Sequence, residues 1–223
     1  MKNNDFTVDA VIFDVDGTLL DTSEGLLAAV KDTLAICHFA PLSSQELLTF
    51  IGPPIQDSLS RYYNISSNDI QHAAEIFRAL YKEKYLMKAV PYNGIYEVMS
   101  ILIQNNIKIG IATYTREDYA LQILEYFHFD EYATVMHGAD NYNQMKKKDI
   151  IQLCIEEMGL TASERIIMVG DSGNDAIGAE NVGASFIGVT YGFGFKSEKD
   201  MQIYRNIGIA KTPQELLKIL SIE

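Results

Sequence analysis

Positive charge is scarce in this chain: 18 lysines and arginines stand against 30 aspartates and glutamates, a formal net charge of -12. That balance argues against a general nucleic-acid or membrane-surface binder, because both need basic patches. An anionic substrate is still allowed, provided local cations offset the field. Cysteine is nearly absent too. Cys37 and Cys154 form no C-x-x-C pair and no zinc-ligand spacing, which predicts small core residues in a reducing, cytoplasmic compartment. The four histidines, His38, His72, His128 and His137, are scattered without ligand spacing and read as surface or core residues. The opening MKNNDFTVDA has no long uncharged stretch of the secretory kind, and no apolar run approaches membrane-spanning length. Internal repeats and low-complexity segments are also missing. What is present in quantity is apolar: 48% of the 223 residues are hydrophobic, enough for a sizeable core.

The stretch VDAVIFDVDGTLLD, Val8 to Asp21, carries the most information. Val8, Ala10, Val11, Ile12 and Phe13 form a short β-branched and apolar run ended by Gly17. That pattern predicts a buried strand of a parallel sheet. Asp14 and Asp16 stand where the strand stops, and ligands of open α/β sheets gather outside the carboxyl ends of strands. Burying either acid without a partner is costly, so both should face a cation, a donor or solvent. Gly17 permits a sharp turn and Thr18 adds a hydroxyl beside the acids.

After this strand, four helical segments follow before any second strand. Thr22 and Ser23 cap a helix over Glu24 to Cys37, Ser43 to Glu46 opens a second, Ile55 to Tyr63 forms a third and Asp69 to Met87 a fourth. Residues 20–88 are too long for an ordinary strand-to-helix crossover and read as an inserted helical cap domain. The remainder alternates strand and helix. Strands are expected at Lys108 to Thr113, Thr134 to His137, Arg165 to Val169, Ala184 to Val189 and Ile207 to Ala210. Helices are expected at Asn93 to Asn105, Glu117 to Phe127, Asp149 to Met158, Asp175 to Asn181 and Pro213 to Leu220. The fold class is therefore α/β, a doubly wound, Rossmann-like parallel sheet built from residues 1–19 and 89–223. A core of about 150 residues buries close to 70% of its unfolded surface.

Four stations carry chemistry: Asp14-Val15-Asp16-Gly17-Thr18; Thr113 at a strand end; Lys146-Lys147-Lys148 ahead of an apolar helix; and Gly170-Asp171-Ser172-Gly173-Asn174-Asp175. Acids at neighbouring strand ends suit a hard divalent cation, and Mg²⁺ takes carboxylates, waters and phosphate oxygens. A hydroxyl and a lysine suit the remaining phosphate oxygens. A carboxylate about 4 Å from a dianionic phosphoryl group is repelled by roughly 8 kcal/mol at an effective dielectric of 20. A cation and one lysine are the features able to cancel that repulsion. The set points to aspartyl-phosphate chemistry, in which a carboxylate attacks phosphorus and the acyl phosphate is then hydrolysed.

In these motifs and their order the chain resembles the haloacid dehalogenase superfamily of hydrolases, closest to its phosphoglycolate-phosphatase-like group with a helical cap after the first motif. The resemblance implies Asp14 as nucleophile and Asp16 as the acid that protonates the leaving oxygen and then activates water. It implies Mg²⁺ held by the side chain of Asp14, the backbone carbonyl of Asp16 and the carboxylate of Asp171, with Asp175 in support. Thr113 would hydrogen-bond the phosphoryl group, with Gly17, Thr18 and Tyr114 also beside it. Tyr114 stands where relatives often have Asn. The lysine station lacks the Lys-Pro-x-Pro of many relatives; relatives with Lys-x-Asp or Lys-x-Glu favour Lys147, two residues before Asp149, ahead of Lys148 and Lys146. Gly52 of Gly52-Pro53-Pro54 resembles a cap loop that approaches the phosphate, Pro91 to Gly94 resembles the return hinge, and Gly188 to Gly192 reads as structural. A movable cap would exclude water during transfer and open for release.

The expected activity is a Mg²⁺-dependent phosphatase of a small phosphorylated metabolite (phosphoglycolate, then a sugar phosphate or nucleotide), acting as a monomer or weak homodimer. A β-phosphoglucomutase-type phosphomutase uses the same acyl phosphate, and the Gly-Asp-Ser of the fourth station leans away from it. A phospho-accepting signalling domain needs neither the second acid at Asp16 nor the helical insertion, and a pseudoenzyme would not need all four aspartates.

Overall fold

The computed structural model describes residues 8–140, 144–160 and 165–222. The sheet grows outward from β1 (Ala10–Phe13), whose four residues are all buried. Each large side chain there contributes roughly 1.5–3 kcal/mol by leaving water. Its neighbours are β4 (Lys108–Arg116) and β6 (Ile166–Gly170), with Phe13 opposite Ile111 on one side and Val169 on the other. With β5 (Val135–Ala139), β7 (Ser185–Val189) and β8 (Gly208–Ala210), the parallel order is β5-β4-β1-β6-β7-β8. The chain builds one side of β1 through β4 and β5, then crosses to the other side at β6. That reversal of strand order marks the crevice where open α/β sheets bind ligands.

Helices α5 (Ile95–Gln104), α6 (Glu117–Tyr126), α7 (Lys147–Glu157), α8 (Gly173–Val182) and α9 (Glu215–Ile219) belong to the same unit. Helix α7 is the crossover from β5 to β6. Its buried residues Lys147, Ile150, Ile151, Cys154 and Ile155 fall at the i, i+3, i+4, i+7, i+8 spacing of one helix face. That face joins Ile12, Ala112, Met168 and Phe186 in one hydrophobic cluster. The helix starts two residues earlier than the expected Asp149, which moves Lys147 from a preceding loop onto the first turn.

The backbone separates into two compact units, Met1–Leu20 with Pro91–Glu223, and Asp21–Val90. The second unit contains α1 (Ser23–Ile36), α2 (Ser44–Leu48), α3 (Ile55–Tyr62) and α4 (Ser67–Leu80) around Val30, Leu34, Leu47, Phe50, Leu59 and Ala73. Two expectations change here. The side chain of Thr22 does not cap α1; Asp21 Oδ1 instead accepts from both the backbone N–H and the hydroxyl of Ser23. Helix α4 stops at Leu80 and continues as a π-helical turn over Tyr81–Tyr85, where the Tyr85 hydroxyl donates to Asp32. Short strands β2 (Leu20–Asp21) and β3 (Val90–Pro91), absent from the sequence reading, form a separate two-stranded ribbon. Cys154 is buried on α7 and Cys37 half-buried just past α1, and both thiols are free. Among the described residues no helix is long and apolar enough to cross a membrane.

Candidate active site

Asp14 follows β1, Asp171 follows β6 and Asp175 lies in the first turn of α8, and these three side chains converge. One ligand oxygen from each lies within 4.8 Å of the others, and all three residues are buried. Lys147 reaches them from α7 and is 3% exposed. Its Nζ is 2.5 Å from Asp14 Oδ1 and 2.8 Å from Asp175 Oδ1. Gly178 makes room for that stem, because a Cβ there would lie 3.0 Å from Lys147 Cγ. Lys146 and Lys148 are exposed, since neighbouring helical residues point away from the buried face.

Each acid has a second set of donors that orients it. Asp171 Oδ2 accepts from the backbone N–H groups of Phe193 at 2.6 Å and Gly194 at 2.9 Å. Asp175 Oδ2 accepts from the N–H and hydroxyl of Ser172, at 3.1 and 2.6 Å, which also caps α8. Thr18 Oγ1 lies 3.5 Å from Asp14 Oδ2. Gly17 has a φ of +84°, and a Cβ on it would strike the Asp171 carboxylate, so a side chain is excluded on two grounds. Gly192 is just as confined, between the carbonyl of Gly17 and the Asp171 side chain. The turn after β7 is thus part of the site's wall, where the sequence suggested structure alone.

Three buried acids lie together with one ammonium, which pairs with Asp14 and Asp175, and their protonation reflects that imbalance. Burial pushes the Asp14 carboxyl well above the usual carboxylate range. Lys147 pulls it back, and Asp175, Asp171 and Asp16 push it further up. Burial and the charge of Asp175 raise Asp171 to about 6, against the pull of the Gly194 and Phe193 amides. Burial alone would depress Lys147, but the carboxylates of Asp14 and Asp175 outweigh it and hold the ammonium above its ordinary range. A cluster that takes up protons to relieve its own repulsion has room, electrostatically, for another cation. An all-oxygen carboxylate set is the donor chemistry Mg²⁺ prefers, so the residues present fit that ion.

Strand β4 brings the hydroxyl groups. It runs three residues past the expected end at Thr113, and its pairing with β5 shifts: Ala112 faces His137, but Arg116 faces Ala139. Thr113, Tyr114 and Thr115 thus stand opposite the single residue Gly138, as in a bulge. Thr113 is buried, and its Oγ1 accepts from the N–H of Thr115 at 3.1 Å. The Tyr114 hydroxyl accepts from the N–H of Lys147 at 2.8 Å, a first-turn amide with no partner inside α7. Thr115 Oγ1 donates to Asp16 Oδ2 at 2.8 Å. Tyr114→Phe removes the acceptor for the Lys147 amide and is expected to cost about 1 kcal/mol of stability, read from urea unfolding at fixed metal concentration. No change in the unfolding midpoint would show that solvent satisfies that amide equally well.

The α/β unit brings Asp14, Asp171, Asp175 and Lys147 together, with Gly17, Thr18 and Tyr114 against them and with Asp16 and Thr113 joined through Thr115. Gly52 lies between α2 and α3 in the helical unit, at a φ of +105° with open space around its Cβ position. Thr115, Phe193 and Gly194 were not singled out from sequence. Thr115 sits two residues from Thr113, but the register shift between Ala112 and Arg116 breaks the alternation that would otherwise tie their faces together, so sequence alone assigned it no target. Backbone amides leave no mark in a sequence beyond the flanking Gly192 and Gly194.

Residues 11–189 match the family profile described as haloacid dehalogenase-like hydrolase. A protein named 5'-nucleotidase from Pseudomonas aeruginosa is 29% identical over 189 residues, covering 84% of this chain and 85% of its own. A phosphoglycolate phosphatase of Agrobacterium fabrum is 30% identical, covering 82% of this chain and 80% of its own. Among solved structures, a haloacid dehalogenase-like hydrolase from Streptococcus pneumoniae superposes with a TM-score of 0.86 at 26% identity, over 95% of this chain and 97% of that one.

Proposed function

We propose a reaction for this chain, which belongs to the haloacid dehalogenase-like hydrolase family: Mg²⁺-dependent hydrolysis of a small phosphomonoester through an aspartyl phosphate on Asp14. The carrying observation is the convergence of Asp14, Asp171 and Asp175, with the buried ammonium of Lys147 paired to Asp14 and Asp175. The carboxylates of Asp14 and Asp171, with Asp175 and the backbone carbonyl of Asp16, would hold the ion. Bound there, Mg²⁺ supplies the positive charge that lets an anionic nucleophile and an anionic phosphoryl group share one site. Thr113 and Lys147 bind phosphoryl oxygens.

An oxygen of Asp14 attacks phosphorus, the ester P–O bond breaks, and Asp16 gives its proton to the departing oxygen. The site now holds an acyl phosphate and the carboxylate of Asp16. That carboxylate takes a proton from water as the water oxygen attacks phosphorus and the bond to Asp14 breaks. Phosphate leaves, and both aspartates return to their starting states. Lys147 keeps its charge throughout: the carboxylates of Asp14 and Asp175 hold its proton in the free site, and Asp175 with the phosphoryl oxygens holds it while Asp14 carries the phosphoryl group.

The leading substrate is phosphoglycolate, with sugar phosphates and nucleotides next. The names of the relatives, a nucleotidase and a phosphoglycolate phosphatase at nearly equal identity, support a small phosphorylated metabolite without choosing among them. The deciding experiment is phosphate release from a panel of phosphorylated metabolites with Mg²⁺ and with EDTA. Release from no member in Mg²⁺, or equal release in EDTA, would overturn the reading. Binding should also show in the melting curve: Mg²⁺ at 100 times its dissociation constant is expected to add about 2.7 kcal/mol relative to EDTA.

A further inference from the structure

Asp16 presents a positional problem. Its carboxyl group is the proposed proton donor, yet it lies beyond the end of β1, its backbone in an isolated bridge with Leu20, and it is only partly buried. A proton donor misplaced by an ångström loses much of its effect. Thr115 reaches it from 99 residues away in sequence, its hydroxyl donating to Asp16 Oδ2 at 2.8 Å. We infer that Thr115 is the positioning residue for proton transfer. It holds Oδ2 as an acceptor, so that the transferable proton sits on Oδ1 and is directed at the ester oxygen of the bound phosphomonoester.

The backbone supports this assignment. A regular ladder would continue the pairing of β4 and β5 beyond Ala112, but three residues of β4 face one of β5 instead. Such a bulge gives up ladder hydrogen bonds and is used to re-aim a side chain. Here Thr113 Oγ1 accepts from the N–H of Thr115, which pins the bulge from within. Gly138 passes beneath it; a Cβ there would lie 2.5 Å from Glu117 Cα and 2.6 Å from the Thr115 carbonyl oxygen. Burial does not force the pairing, because Thr115 and Asp16 are both partly solvent-accessible and water would satisfy either one. A hydroxyl needed only for the strand would not require the bulge.

The inference rests on the phosphatase reading, and leaving-group dependence separates the two. In the first step the proton on Asp16 Oδ1 moves to the ester oxygen as its bond to phosphorus breaks. A poor leaving group needs that proton and a good one does not. The test measures kcat/KM, which reports that first step, for aryl phosphates from dinitrophenyl to unsubstituted phenyl. Thr115→Val keeps the side-chain shape and removes the hydroxyl. It is expected to lower kcat/KM about 100-fold on phenyl phosphate and less than about threefold on dinitrophenyl phosphate. Asp16→Asn should show the same bias more steeply, and Thr115→Ser should restore most of the loss. Calorimetric titration with Mg²⁺ and the melting midpoint are expected to match wild type in Thr115→Val, and Thr115→Ala serves as a second variant should Val disturb the fold. A uniform loss across the series in Thr115→Val and Thr115→Ala, or no loss, beside a biased Asp16→Asn, would overturn the role of Thr115 alone. An unbiased Asp16→Asn removes the proton-donor role and this inference with it. A wild-type protein that turns over none of the series overturns the phosphatase reading itself.

Discussion

Asp14→Asn is expected to abolish phosphate release, by at least about four decades in kcat, while raising the melting midpoint of the metal-free chain. The opposite signs come from one cause. As a carboxylate, Asp14 is the nucleophile of the proposed first step, and an amide of the same shape would not form or release an acyl phosphate. As a buried group, it is one of three acids with ligand oxygens within 4.8 Å of each other, and burial already pushes its carboxyl well above the usual range. Replacing it with a neutral side chain removes a repelled charge. Lys147 keeps a partner, because its Nζ remains 2.8 Å from Asp175 Oδ1.

The same variant should bind Mg²⁺ more weakly, having lost one of its carboxylates. The relevant measurements are phosphate release from p-nitrophenyl phosphate, melting in EDTA, and melting across a Mg²⁺ series. A variant that keeps full turnover would end the nucleophile assignment. A variant with a lower midpoint in EDTA would show that the Asp14–Lys147 pair stabilises the empty site more than the crowding of acids destabilises it. A site arranged for charged substrate and ion is expected to be tense when it holds neither.

Side chains on regular elements were the legible part of this molecule. The run Ala10 to Phe13 announced a buried strand, and acids after two such strands announced a common site because parallel strands share their carboxyl end. Lys147 was also open to a further reading. It is the member of its triplet in phase with Ile150, Ile151, Cys154 and Ile155, so helical spacing alone puts it on the face that turns inward. Less legible were departures from regularity. Alternation predicts where β4 runs but not that three residues will stand opposite Gly138, so the hydroxyls of Tyr114 and Thr115 had no visible target. The amides of Phe193 and Gly194 reach Asp171 from 22 and 23 residues away and carry no side-chain signature for doing so.

Lys147→Met is expected to cost about a thousandfold in kcat/KM and roughly 3–5 kcal/mol of stability in the absence of metal. Methionine has nearly the reach of the lysine stem and can follow the same path past Gly178 and Ile151, so the change is one of charge more than packing. What remains is three buried acids with no ammonium among them. Part of that cost is relieved when the acids bind protons, and a protonated Asp14 is no nucleophile, so the loss of stability and the loss of rate are linked. Mg²⁺ should recover stability further than it recovers rate, because the ion can offset the acids but cannot take Lys147's place beside the phosphoryl oxygens. Lys147→Arg is not expected to rescue: a planar fork is wider than an ammonium, and the Lys147 side chain is only 3% exposed, with its Nζ already paired to Asp14 and Asp175. Lys146→Met and Lys148→Met are the internal controls, both residues being exposed. Urea unfolding in EDTA and in Mg²⁺, beside kcat/KM for the four variants, checks every part of this expectation. Equal losses at positions 147 and 148 would mean that the run acts as a diffuse positive patch, and that the close pairing of Nζ with Asp14 and Asp175 is not what the reaction uses.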